Sequence, residues 1–390
     1  EKLFKNGEYT EAQKLYSNLV ALYPKDPLYN YRYGACILYS EPEKSQALKY
    51  LNFAAATSNP PVEAYYFAGL GYHYNYRFVE ALKYYSTFQS NAKNRELKKY
   101  PVERQIRMAK NGKDLLKNIA EPQVKNQTQT STSDFHLSYK TLGSDHKFLR
   151  MLSEFRTKTD EDRNYFGLMY KHAAHNEIWF ASYGADEASG TDLYKILISE
   201  DGSFQKPQKL PAAVNTGYDD AYPFFNYTTQ TLYFASKGHS SMGGFDLFKI
   251  AYDTNTDTWG TAQNLDFAYN TPDDDILYAE SESTAFFTSS RNNNQGRVTV
   301  YEINPAQNEL KSALIAGTFN HELYKKVDVT VTKLPENEVT ATFESDEKTG
   351  RYNIVLPGNS KYEFAVKPAG SSLSHMGEVR IPKVTGAAPL

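Results

Sequence analysis

Residues 232–248 read LYFASKGHSSMGGFDLF, and the same wording returns elsewhere in the chain. The opening Leu232-Tyr233-Phe234-Ala235-Ser236 has an upstream counterpart in Ile178-Trp179-Phe180-Ala181-Ser182. A downstream one is Ala285-Phe286-Phe287-Thr288-Ser289. The segment Gly244 to Ile250, with Asp246 and Leu247, matches Gly190 to Ile196, with Asp192 and Leu193, and more loosely Arg297 to Ile303. Asn215-Thr216 with Asp219-Asp220 reappears as Asn270-Thr271 with Asp274-Asp275. Short aromatic and β-branched runs cut by Gly, Asn and Asp turns give about four strands per repeat, the pattern of propeller blades. Three blade signals are clear, whereas closed propellers carry about four to eight. Residues 134–177 are therefore expected to add a divergent blade or the strand that closes the ring, and the blade number stays open.

Upstream lies a second, helical repeat. Ala12, Ala47 and Ala81 are each followed four positions later by a large residue, Tyr16, Leu51 and Tyr85, and Gly34 recurs as Gly69. A small residue facing a large one is what two closely crossing helices need. With Pro24 closing the first unit, the spacing fits the tetratricopeptide repeat of about 34 residues. The first unit lacks most of its first helix, so the natural chain is expected to begin earlier. Residues 94–118 read as a basic, solvated capping helix. Stacked helix pairs leave the first helix of each pair lining a concave groove, which places Tyr31, Leu38, Tyr39, Tyr66, His73 and Tyr74 there. Tyrosines offer contact area at low entropic cost, so these six are candidate partner-binding residues. Packing against the capping helix is the competing reading. Cys36, beside the crossing glycine, reads as a small buried packer, with no His or Cys pattern to activate it.

The remaining segments follow from composition and alternation. Residues 120–133 are polar and aperiodic and read as a linker. In the last part, Val327, Val329 and Val331 alternate with polar residues as in a half-buried strand. Thr349 to Gly358 and Tyr362 to Val366 continue in strand-and-turn style. The expected organisation is a multidomain chain: a helical repeat domain with its cap (1–119), a linker (120–133), an all-β propeller (134–310) and a small β-sandwich (311–390).

These motifs resemble known families. The stretch 232–248 is similar to the TolB-type propeller repeat abundant in envelope proteins of Bacteroidota. The final segment is similar to the carboxypeptidase-regulatory-like module, a transthyretin-like sandwich that is structural or adhesive rather than peptidolytic. The order of helical repeat, propeller and sandwich resembles the PorE-type proteins of the type IX secretion system. The resemblance implies a periplasmic, outer-membrane-associated scaffold that binds other envelope proteins through its groove and its propeller faces. Such proteins often continue into an OmpA-like domain that holds peptidoglycan. The sequence in hand stops before one, so peptidoglycan is a partner only through a region outside it.

Composition narrows the alternatives. The 390 residues carry 43 basic and 46 acidic side chains, a net −3, too balanced for a nucleic-acid binder with its basic face. No run reaches the ~20 apolar residues of a membrane-spanning helix. One cysteine excludes a disulfide framework and a multi-cysteine zinc site. The 32 tyrosines and 22 phenylalanines favour β-structure and binding surfaces.

Candidate chemistry is weak. His375-Met376-Gly377-Glu378 imitates a zinc pair without a further His downstream, and His172 with His175 lacks a third ligand of known spacing. Asp253, Asn255 and Asp257 imitate half a calcium loop, but Thr258 stands where glycine is needed and Asn264 where a bidentate Glu is needed. The recurring Asp pairs are expected to tie down turn N–H groups within each blade. Phosphate-binding and nucleophile-elbow motifs are missing. The expectation is no catalytic residue, no metal and no cofactor. Two alternatives remain. A glycan or peptidoglycan binder would use Trp179, Trp259 and tyrosines, though both tryptophans fall at strand positions and read as core. A propeller hydrolase would use His239 with Asp246 or Asp219, and Lys237, His239 and Asp246 are the candidate propeller-loop residues.

Overall fold

In the computed structural model, the described residues are 1–115, 121–185, 190–267, 269–309, 312–319, 326–335, 337–345, 350–357, 360–369, 371 and 374–381. The first part of the chain is helical: α1 (Lys2–Lys5), α2 (Tyr9–Leu22), α3 (Pro27–Ser40), α4 (Ala47–Ala55), α5 (Val62–Tyr74), α6 (Phe78–Asn91), α7 (Asn94–Lys99) and α8 (Val102–Leu115). The Asp26 carboxylate accepts from the Tyr29 N–H and Pro27 opens α3, so the chain turns sharply into that helix. The small-against-large crossings are met: a Cβ on Gly34 would lie 2.7 Å from Leu51, and one on Gly69 would lie 2.5 Å from Tyr85. Ala12, Ala47 and Ala81 are all buried. A third crossing of the same kind, Gly112 of α8 against Phe78, escaped the sequence reading. Among the described residues no helix is long and apolar enough to cross a membrane.

Two expectations for residues 94–133 are corrected. The single capping helix is two, because Pro101 cannot donate an N–H and pushes Tyr100 into extended backbone. The supposed linker 120–133 is mostly strand: β1 (Glu121–Ser131) runs as an outer strand. An edge strand is held by backbone hydrogen bonds and keeps most side chains in water, so its polar composition carried no alternation to detect.

Three antiparallel sheets follow. Sheet I contains β2 (His146–Arg150), β3 (Leu168–His172), β4 (Glu177–Ser182), β5 (Asp192–Leu197) and β6 (Gln208–Lys209) in that order, with the short helix α9 (Lys158–Asp162) between β2 and β3. Sheet II runs β7 (Asp220–Asn226), β8 (Thr231–Ser236), β9 (Asp246–Asp253) and β10 (Thr258–Trp259), with β11 (Gln263–Asn264) also pairing with β9. Sheet III runs β12 (Asp275–Glu280), β13 (Ala285–Ser289), β14 (Arg297–Glu309) and then β1. The three recurring runs are the second strands of a common meander, namely β4, β8 and β13. Sheet II packs on sheet I through β7 against β3 and β4, and sheet III packs on sheet II through β12.

Residues 134–177 supply β2, β3 and a 3₁₀ segment, Phe135–Leu142. From that segment the Tyr139 hydroxyl donates to the Leu277 carbonyl (2.6 Å), and its ring packs on Phe148 of sheet I and Phe286 of sheet III. Glu1–Asp114, Val124–Leu265 and Tyr269–Pro305 form one compact unit, helices and sheets together.

A second unit holds β15 (Ser312–Thr318), β16 (Val327–Leu334), β17 (Glu338–Glu344), β18 (Arg351–Pro357), β19 (Ser360–Pro368) and β20 (His375–Ile381). Its sheets are β15–β18 and β17–β16–β19–β20. As the alternation predicts, Val327, Val329 and Val331 are buried, and they share a core with Ile354, Leu356, Tyr362 and Phe364. Thr349 and Gly358 lie outside the described residues.

Candidate functional site

Four of the six groove residues are buried and two are partly so. Tyr31, Leu38, Tyr66 and His73 are each under 5 % exposed, and Tyr39 and Tyr74 are half-buried. Tyr31 stacks on Phe67, Tyr39 stacks on Tyr9 at 4.4 Å, and Tyr66 lies 4.8 Å from Tyr100 between α7 and α8. The competing reading, packing against the cap, therefore holds for Tyr66. The rest of the covering comes from the sheets. His73 Nε2 lies 2.7 Å from the Met242 carbonyl and its Nδ1 lies 3.3 Å from the Tyr85 hydroxyl. Burial pushes this imidazole down to about 4, so it is neutral. Lys44 sits 4.2 Å above the Tyr74 ring and pairs with Asp273. From α8, Arg104 donates to the Lys237 carbonyl, Arg107 to the Tyr218 hydroxyl and Asn111 to the Ser241 carbonyl. Loops around 214–218 and 237–244 thus meet α5 and α8, and the 271–274 loop meets Lys44, in the place that the sequence assigns to a foreign peptide.

The loop residues Lys237, His239 and Asp246 serve the same junction. Lys237 pairs with Asp219 (2.8 Å) and lies over Phe245. His239 Nε2 is 2.8 Å from the Val214 carbonyl, and its backbone is left-handed at φ +44°. Asp246 is fully buried and accepts from the Met242 N–H, the Gly243 N–H and the Asn264 amide, which folds the 237–244 loop. Burial pushes its carboxyl up to about 8. The hydrogen bonds of His239 and Asp246 go to different groups.

The recurring polar motif has a common use. Asp220 accepts from the Thr216 N–H (2.6 Å) and hydroxyl, and Asp275 does the same with Thr271. The residue before each, Asp219 or Asp274, caps an N–H of the preceding sheet, that of Thr191 or Phe245. Asn215 and Asn270 each bracket one residue of that sheet, accepting from its N–H and donating to its carbonyl: Leu193 for the first, Leu247 for the second. The motif therefore staples one sheet to the next. A third instance, Asp160 accepting from Thr157 and Ser182, escaped the sequence reading because α9 shortens its spacing.

No family model matches the chain, and no curated protein does.

The other candidates also have local explanations. His375 and Glu378 fall three apart on β20, hence on opposite faces, and Glu378 pairs with Lys361. Asp253 and Asp257 flank the turn between β9 and β10, with Thr258 opposite Asp253. His175 stacks on Tyr227 at 3.5 Å, and the His172 Nδ1 accepts from the Ala174 N–H. Among the described residues no group of three or more His, Cys, Asp or Glu could hold a metal. Cys36 is fully buried, which pushes its thiol up to about 12.

A cleft of about 330 Å³ lies between sheets I and II. Glu177, Trp179 and Lys195 form the sheet I wall, and Phe225, Tyr227 and Tyr252 form the sheet II wall. Trp179 is buried as core, stacked on Phe225 at 4.7 Å and donating its Nε1–H to the Tyr227 hydroxyl (3.1 Å). Trp259 is half-buried and edge-on to it at 6.3 Å. Burial first, then the Glu177 carboxylate, pushes the Tyr227 phenol far above its usual value.

Proposed function

We propose that the chain is a non-enzymatic scaffold of the bacterial cell envelope. In this reading it combines a tetratricopeptide-like array, a TolB-type propeller and a carboxypeptidase-regulatory-like sandwich. It works in the periplasm at the outer membrane, in a type IX secretion or related complex, and its partners are other envelope proteins. The observation that supports this reading is the use made of the repeated polar residues. Asp219, Asp220, Asp246, Asp274, Asp275, Asn215 and Asn270 bond backbone groups within and between sheets. Residues engaged in that way build a rigid support, and α5 and α8 are bonded onto the same loops. With the groove filled from within, the surface offered to partners is elsewhere, and Leu15, Leu22 and Tyr23 stand exposed on and just after α2.

The test is affinity capture from a Bacteroidota outer-membrane fraction, with Leu15→Glu/Leu22→Glu beside the unaltered chain. Envelope proteins retained by the first and lost by the double variant support the reading. A chain that retains none, or that hydrolyses a substrate in a manner abolished by His239→Ala, overturns it.

A further inference from the structure

Beyond the scaffold role, we propose that the cleft between sheets I and II binds a neutral sugar ring. Glu177 and Lys195 lie diagonally on one face of β4 and β5, since Glu177 is opposite Leu197 and Trp179 is opposite Lys195. Their Oε2 and Nζ are 3.6 Å apart, whereas Lys209–Asp192 and Lys237–Asp219 close to 2.6 and 2.8 Å. A satisfied charge-assisted hydrogen bond spans about 2.7–2.9 Å, so neither group saturates the other; the Tyr227 hydroxyl also bonds Glu177, and each side chain of the pair retains about a fifth of its surface.

The chemistry of the pair selects the ligand. Carboxylate and ammonium cancel, so a net charge on the ligand is attracted by one and repelled by the other. An uninterrupted run of prolines brings carbonyl acceptors for Lys195 but no N–H for Glu177. Two adjacent sugar hydroxyls bring both: one donates to Glu177 while its neighbour accepts from Lys195. The C–H face of the ring then lies against the wall that His175, Tyr227 and Tyr252 line, where His175 is stacked on one face of Tyr227 and Trp259 packs against Tyr252.

The chain has two tryptophans, and both report on this place: Trp179 lines the cleft and Trp259 is beside it. The full chain is titrated with cellobiose, maltose and diacetylchitobiose up to about 50 mM, following tryptophan emission, with decaproline run in parallel. At least one disaccharide is expected to give a saturable change. Its affinity should fall roughly tenfold or more in Lys195→Met and in Glu177→Gln. Thr254→Arg, which places a bulky group on the exposed rim, blocks the cleft without touching the core and covers the case of a charge variant that fails to fold. A flat response to all three sugars, equal saturation in the variants, or saturation by decaproline alone overturns the proposal.

Discussion

His73 is the most informative single perturbation of the junction between helices and sheets. Its ring is buried, with Nε2 at the Met242 carbonyl and Nδ1 at the Tyr85 hydroxyl, and its pKa falls from an ordinary 6.5 to about 4. A depressed histidine lets the unfolded chain take up the proton first. The contribution to stability is therefore complete above pH 6.5 and is lost as the pH falls toward 4. A gap of that size corresponds to about 3 kcal/mol, most of it gone by about pH 4.5. His73→Gln can still donate to Met242 but does not titrate. At pH 7.5 the variant should be less stable than the unaltered chain by about 1–2 kcal/mol, the worth of an imperfect replacement. At pH 4.5 that deficit should shrink or reverse, moving by about 2–3 kcal/mol. Urea unfolding followed by tryptophan emission measures both, and subtracting the variant removes the opposing titrations of Asp220 and Asp246, which are common to both chains. Stability curves of the two proteins that stay parallel from pH 7.5 to 4.5 would refute the reasoning.

Further outcomes follow from the packing. Gly69→Ala would press a methyl group to 2.5 Å from the fully buried Tyr85. It should lower stability by about 1–2 kcal/mol despite alanine's better helix propensity, and a thermal melt that rises instead would contradict the close crossing. Asp275→Ala strips the partner from Arg291 and the acceptor from Thr271 in a buried site, and should cost about 3–5 kcal/mol. Asp219→Ala, whose ion pair is part-exposed, should cost about 1 kcal/mol, and equal losses in calorimetry would refute the ranking. Cys36 should resist a thiol reagent in the folded chain and react at the rate of unfolding, so rapid labelling without denaturant would show that α3 is not packed as described.

Much of the architecture could be read before any coordinates. The alternation of Val327, Val329 and Val331 named the buried face of β16, because side chains of a strand alternate and only one face is dry. Gly34 and Gly69 named the helix crossings, because only a missing side chain admits Leu51 or Tyr85 so closely. The recurrence of Asn215-Thr216 and Asp219-Asp220 as Asn270-Thr271 and Asp274-Asp275 announced a structural use, since residues repeated in register at two sheets answer a need that both sheets have. The cleft was not legible, because Glu177, Lys195 and Tyr252 converge from three strands whose order in the chain does not reveal their approach.

Sequence alone determined the local choices here: which runs are helix or strand, which residues face inward, and where one unit repeats. These depend on periodicity, and periodicity is written in neighbouring positions. The tertiary structure alone decided two larger matters. β1 became an edge strand of sheet III through backbone groups that every residue carries, so its side chains held no trace of it. The groove tyrosines and His73 came to face the chain's own loops rather than a partner. An aromatic ring with one polar atom suits either occupant equally well, and only the folded position of Met242, with its carbonyl aimed at His73, settles which one arrives.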